Sequence, residues 1–175
     1  MMWRKAPAAL AAVLLLHLPV VSAAKPTETL DRFHQGLQRN EPDKVLDSLA
    51  KDAVIYEQGF AEVSRDEWAR KQLGPAIAFA RDTERRVIRS RSGEADRSAW
   101  VISRTQTFVD VSGRKVMLEG AETAILRREG KQWKIVHLHW SAHEASAEET
   151  ARAQSGKTGK ADVPADTSAN KTRRQ

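Results

Sequence analysis

At 175 residues, 41% of them hydrophobic and 30% charged, the chain has room for one domain of ordinary size with a core of its own, and not for two. The absence of cysteine excludes disulfides, thiolate metal sites and anchoring through a lipidated cysteine. The formal charge of +6 falls to +4 without Arg4 and Lys5, and acids lie among the clustered Arg81, Arg85, Arg86, Arg89 and Arg91 with no aromatic stacking pattern, which fits a solvated strand face and no nucleic-acid partner.

The N-terminus runs from Arg4 and Lys5 through an apolar stretch, Ala6 to Val21, into the small residues Ser22, Ala23 and Ala24. This is the order of a secretory signal, residues 1–23, with cleavage after Ala23 or Ala24. The apolar run is short for a membrane span, and a retained N-terminal anchor is the alternative. The expectation is a periplasmic or secreted protein with no membrane contact after cleavage.

The domain then spans residues 26–143. Leu30, Phe33, His34 and Leu37 fall at i, i+3, i+4 and i+7, predicting a helix over 27–39 with one buried stripe. Pro42 suits a first helical turn, and Val45, Leu46 and Leu49 give a second short helix that Asp52 closes. Ala53 to Tyr56 is a short strand stopping at Gly59. Ser64 and Glu67 have capping-box spacing, so a third helix opens near Ser64, with Trp68, Leu73 and Ile77 on its buried face and Pro75 bending or interrupting it. From Thr83 the pattern becomes extended: 83–92, 98–111, 117–128 and 132–142 read as strands, with Ser92-Gly93-Glu94, Ser112-Gly113-Arg114 and Glu129-Gly130-Lys131 as turns. Residues 144–175 hold almost no large apolar side chain and are expected to be a disordered tail. Helices first and a strand meander after predict an α+β fold in which a curved, cone-shaped antiparallel or mixed sheet packs on three N-terminal helices.

The last strand carries the densest chemistry. Strict alternation puts Trp133, Ile135, His137, His139 and Ser141 on one face and Lys134, Val136, Leu138 and Trp140 on the other. His137 and His139 have a spacing that lets two imidazoles reach one metal ion, with Glu57, Glu122, His34 or His143 as further ligands. The alternatives are a satisfied core network and a pocket acid or base. Glu57 at a strand end and Glu122 between Ala121 and Thr123 are either structural ion-pairing acids or pocket carboxylates that shuttle protons. Arg104 is the expected partner of Glu122. Tyr56 and Trp68 are either pocket walls or plain core, and His34 reads as a hydrogen-bonded core histidine.

The order of elements, the segment Asp52 to Gly59 and the terminal strand resemble the SnoaL-like branch of the nuclear transport factor 2-like superfamily. Within it, Tyr56, Glu57 and Gly59, then Ser64, Arg65 and Glu67, then Glu122 and Thr123, and finally His137, His139, Trp140 and Ser141 are similar to an exported bacterial group. That group tends to place a His pair in the third helix where this chain has Lys71 and Gln72, a departure that argues against a metal, and no other cofactor motif is present. The resemblance implies a pocket at the open end of the cone and a homodimer through the outer sheet face, here with Val101, Val136, Leu138 and Trp140. Three functions follow as expectations. One is binding of an unidentified small, largely apolar molecule, with His137, Ser141, Tyr56, Trp68 and Arg104 contributing. Another is a cofactor-free lyase, isomerase or hydrolase using His139 with Glu57 or Glu122 as acid and base. The third is a dimeric assembly domain with a vestigial pocket.

Overall fold

The computed structural model describes residues 25–156; the expected signal and the end of the expected tail lie outside the described residues. Four helices and a short hairpin come first: α1 (Pro26–Gln38), α2 (Pro42–Ser48), β1 (Leu49–Glu57), β2 (Phe60–Glu62), α3 (Arg65–Lys71) and α4 (Leu73–Arg81). The meander follows as β3 (Thr83–Ala95), β4 (Ser98–Val111), β5 (Arg114–Glu129) and β6 (Gln132–Glu144), and α5 (Ala147–Gln154) closes the described chain. One six-stranded sheet has the order β2-β1-β6-β5-β4-β3. Among the described residues only β1 and β6 pair in parallel, so β1 and β6 meet in the sheet interior. The fold is the expected α+β cone, with the sheet wrapped over α1 and α4.

Local chemistry explains the helix ends. Pro26 and Pro42 each occupy a first helical turn, where no backbone N–H is required. Ser64 Oγ accepts the Glu67 N–H at 3.2 Å and starts α3. The third predicted helix is two: α3 ends and α4 begins at Gln72, so Pro75 falls in the first turn of a new helix and does not bend an old one. Gly36 lets α2 approach α1, since a Cβ there would lie 2.8 Å from Val45 Cγ2 and 3.2 Å from the Val45 backbone nitrogen.

The core is the space between α1 and the inner sheet face. Leu30, Phe33 and Leu37 of α1 meet Ile55, Val101, Leu126, Trp133, Ile135 and Leu138, with Val45, Leu49 and Trp68 closing the sides. Trp68 is fully buried and packs on Phe33 at a ring separation of 5.8 Å. It is core, and its indole N–H has no partner among the described residues.

One irregularity sets which side chains of β6 face the core. On β5 the neighbours Ile125 and Leu126 pair with His137 and Ile135, which leaves Val136 as an extra, bulged residue. The bulge resets the alternation. Trp133 and Ile135 face inward before it, and Leu138 and Trp140 face inward after it. His137, His139 and Ser141 therefore share the opposite, outer face with Tyr56, Thr123 and Ile125. The dimer face read from the sequence is corrected by the same phase change: Leu138 is wholly buried, Val101 is 2% exposed and Trp140 packs on the core. The large apolar side chains exposed on the outer face are Tyr56, Trp100, Ile102 and Ile125.

Three further expectations change. Gly93 is no turn: it lies within β3 opposite Trp100, whose ring covers it, and the reversal comes at Asp96 and Arg97. Asp52 lies inside β1 and grips Arg127 through two hydrogen bonds of 2.8 and 3.0 Å. The segment expected to be disordered from 144 continues β6 and then forms α5, which opens with a Ser146–Glu149 capping box. Ala145 and Ala153 cover Phe108 and Met117 there.

Candidate functional site

A chamber of about 530 Å³ opens between α1, α4 and the inner face of the sheet. Leu37, Ala76, Phe79, Leu118 and Trp140 form its main apolar walls, while more than half of its lining residues are polar. Three lining residues lie in one row. Glu57 is level with Trp140 across the parallel β1–β6 pair, and Trp140 is level with Glu122 across β6–β5. The bulge at Val136 puts the indole, and not an imidazole, in the middle of that row.

Glu57 is the last residue of β1, just before the left-handed Gln58 and Gly59 (φ 49° and 87°) that turn the chain into β2. Burial pushes its carboxyl above the ordinary glutamate range, the neighbouring Trp140 side chain works against this, and the nearby charge of Glu62 adds to the rise. Glu62 is itself 3% exposed, with one oxygen accepting from Gln72 at 3.3 Å and the other unpartnered among the described residues.

Glu122 is only 5% exposed and has a different character. An ionised carboxylate can only accept, so His34 Nε2, 2.7 Å from one oxygen, is the donor there. Arg85 Nη2 donates to the other oxygen at 3.0 Å. Burial alone would raise this carboxyl; His34 and Arg85 outweigh it and hold it below the ordinary range. Glu122 is thus a fixed anion with both oxygens engaged, suited to orienting His34 and Arg85 and unsuited to taking up a proton.

The sequence-selected residues therefore separate into two sets. Glu57 and Glu122 border the chamber. His139 does not: it is exposed on the outer face beside Tyr56, at a ring separation of 6.3 Å, and is not brought together with either acid. His137 is held on that face by a 3.0 Å hydrogen bond between Nδ1 and the Val54 carbonyl and an edge contact with Tyr56. Ser141 is exposed and borders the chamber rim. Arg104 is exposed and reaches Glu119 at 3.5 Å, so it is not the partner of Glu122. Among the described residues no group of three or more His, Cys, Asp or Glu side chains is placed to hold a metal ion.

Arg85 and Trp140 were the residues missed. Arg85 lies in a run of arginines whose pattern predicts a solvated face; its neighbour Arg86 does fit that expectation, pairing with Glu84 at 2.7 Å. Odd–even parity in β3, with Thr83 and Arg85 facing one way and Glu84 and Arg86 the other, was the available signal.

Residues 27–144 match the family model described as a SnoaL-like domain. No curated protein sequence matches the chain. Among solved structures, a candidate ketosteroid isomerase from Shewanella frigidimarina is 27% identical with a TM-score of 0.62, over 70% of this chain and 98% of that one. A candidate calcium/calmodulin-dependent protein kinase II association domain from Xanthomonas campestris is 18% identical with a TM-score of 0.58, over 77% and 98%. A candidate scytalone dehydratase from Novosphingobium aromaticivorans is 16% identical with a TM-score of 0.57, over 67% and 80%. The last two likenesses are of fold.

Proposed function

The chain belongs to the SnoaL-like domain family, and from that premise we propose that it binds a small, largely apolar molecule in the chamber between α1, α4 and the sheet. The supporting observation is the chamber itself: about 530 Å³ with a lining surface that is mainly apolar, Glu57 at one side and the His34–Glu122–Arg85 cluster at the other. That is the size of small-ligand sites in general. Native mass spectrometry of the purified protein, compared with an Ala76→Trp variant whose indole takes up part of the chamber, tests this. A retained small molecule lost in the variant is expected; apo protein in both, together with no binding from an apolar fragment library, would refute it.

A second reading is favoured by Glu57. A carboxyl whose proton affinity is raised by burial in an apolar chamber is suited to moving a proton to or from a bound molecule. In a cofactor-free lyase, isomerase or hydrolase Glu57 would be the acid or base, Trp140 its neighbour, and Glu122 the anchor of His34 and Arg85. Glu57→Gln would then abolish turnover while leaving ligand affinity within a few-fold; full turnover in that variant would exclude the role.

The outer-face cluster of Tyr56, Trp100, Ile102 and Ile125 supports a homodimer, and the leader pattern of residues 1–23 supports export to the periplasm or beyond. Ile102→Glu should yield monomer by light scattering, and fractionation of expressing cells should find the protein outside the cytoplasm.

A further inference from the structure

Two cavities meet at Arg85. Beside the main chamber lies a smaller one of about 250 Å³, walled by Leu30, Val87 and Val101 and by the hydroxyl-bearing Ser90 and Ser103. The two share Asp31, His34 and Arg85. Ser103 and Ser90 are already in contact through their hydroxyls at 3.2 Å, which adds a hydroxyl-bearing wall to the side of the small cavity.

Arg85 has donors to spare. A guanidinium carries five N–H groups, and among the described residues Arg85 makes a single hydrogen bond, from Nη2 to Glu122. Its side chain is three-quarters shielded, at 25% exposure. Glu122 divides its one charge between His34 and Arg85, which fixes the guanidinium without saturating its free edge. Among the described residues no other acid pairs with Arg85: Asp31 of α1 borders both cavities with it but makes no ion pair to it, and Glu57 sits on β1 with β6, β5 and β4 between it and β3.

We propose that the junction of the two cavities is a carboxylate subsite, and that the ligand is an apolar monocarboxylic acid whose carboxylate docks on the free edge of Arg85 while its body lies in the main chamber. This rests on the small-ligand reading above and names the class of that ligand. A planar, anchored guanidinium in a partly dry site is the group best matched to a carboxylate. Ser90 and Ser103 line the smaller cavity together with Arg85 and offer hydroxyls to a second oxygen. Glu57 at the far side of the chamber would repel an anion placed there, so the acid has one preferred orientation.

Three matched probes decide the matter: 4-phenylbutyrate, 4-phenylbutanol and 4-phenylbutylamine, titrated into the full-length protein by calorimetry at pH 7. The acid should bind at least roughly ten-fold more tightly than the alcohol, the return expected of one charge-assisted pair. In Arg85→Met that preference should vanish while the alcohol keeps its affinity within a few-fold, and Arg85→Lys should retain part of it. Circular dichroism establishes that each variant is folded, and the wild-type acid-to-alcohol ratio stands as a test without them. An acid no tighter than the alcohol, or an amine tighter than the acid, would overturn the carboxylate subsite and leave small-molecule binding standing. No binding by any probe would overturn both.

Discussion

Glu122→Gln isolates the most heavily constrained polar group in the protein. The change removes one charge from a side chain that is 5% exposed and leaves His34 and Arg85 facing an amide. Breaking a fully buried ion pair from one side costs about 3–5 kcal/mol. Here His34 and Arg85 keep side-chain exposures of 19% and 25%, so both recover part of their hydration and the expected cost is lower, about 2–3 kcal/mol. For a domain of this size that is a fall in Tm of roughly 10 °C. Urea titrations followed by circular dichroism should give this difference at pH 7. The acid dependence carries the sharper test. Because the folded carboxyl is held below its ordinary value of about 4.3, its contribution is complete above that value and is lost as pH falls through the folded pKa. The gap between wild type and variant should therefore close once the pH falls well below the ordinary carboxylate range. A gap under about 0.5 kcal/mol at pH 7, or one that persists undiminished in strong acid, would show that the cluster does not hold the charge described.

The opposite sign is expected at Glu57. Its carboxyl is raised, chiefly by burial, so at neutral pH its charge opposes folding; Glu57→Gln should be more stable than wild type at pH 7, with the advantage disappearing as the wild-type acid protonates. Gly36→Ala should cost about 1–3 kcal/mol in urea despite alanine's better helix propensity, because the new Cβ meets both the Val45 side chain and its backbone nitrogen. An unchanged midpoint would mean that α2 can slide away from α1. His139→Ala should leave stability within about 0.5 kcal/mol and probe affinity unchanged, since the ring is exposed on the face away from the chamber. Weakened binding in calorimetry would contradict that placement.

Much of the fold was legible because it depended on local signals. The stripe of Leu30, Phe33 and Leu37, the cap at Ser64 and the Gly113 and Gly130 turns each act within a few residues, and each is found in place. The site was less legible, because it depends on which way a long strand is phased. A single extra residue in β6 exchanged the imidazoles for the indole, and no local pattern in Trp133 to Ser141 marks Val136 as the extra one. Glu57 and Glu122 were found because an acid inside an apolar strand is conspicuous at any phase. The cation that holds Glu122 was not, since choosing Arg85 over Arg104 requires knowing that β3 crosses β4 with Arg85 level with Thr107, a pairing that only the assembled sheet defines.

Viewed as a two-letter reading frame, in versus out, β6 is a message with a one-residue frameshift at Val136. Deleting Val136 would restore a single frame without changing its meaning, leaving Ile135, Leu138 and Trp140 inside. Deleting Leu138 would bring His139 in and turn Trp140 out, rewriting the chamber wall with the loss of one codon. Relatives of equal length here should be compared in two frames, one on each side of position 136, because a column-by-column match of the His-x-His-Trp ending equates residues without fixing which side of the sheet they serve.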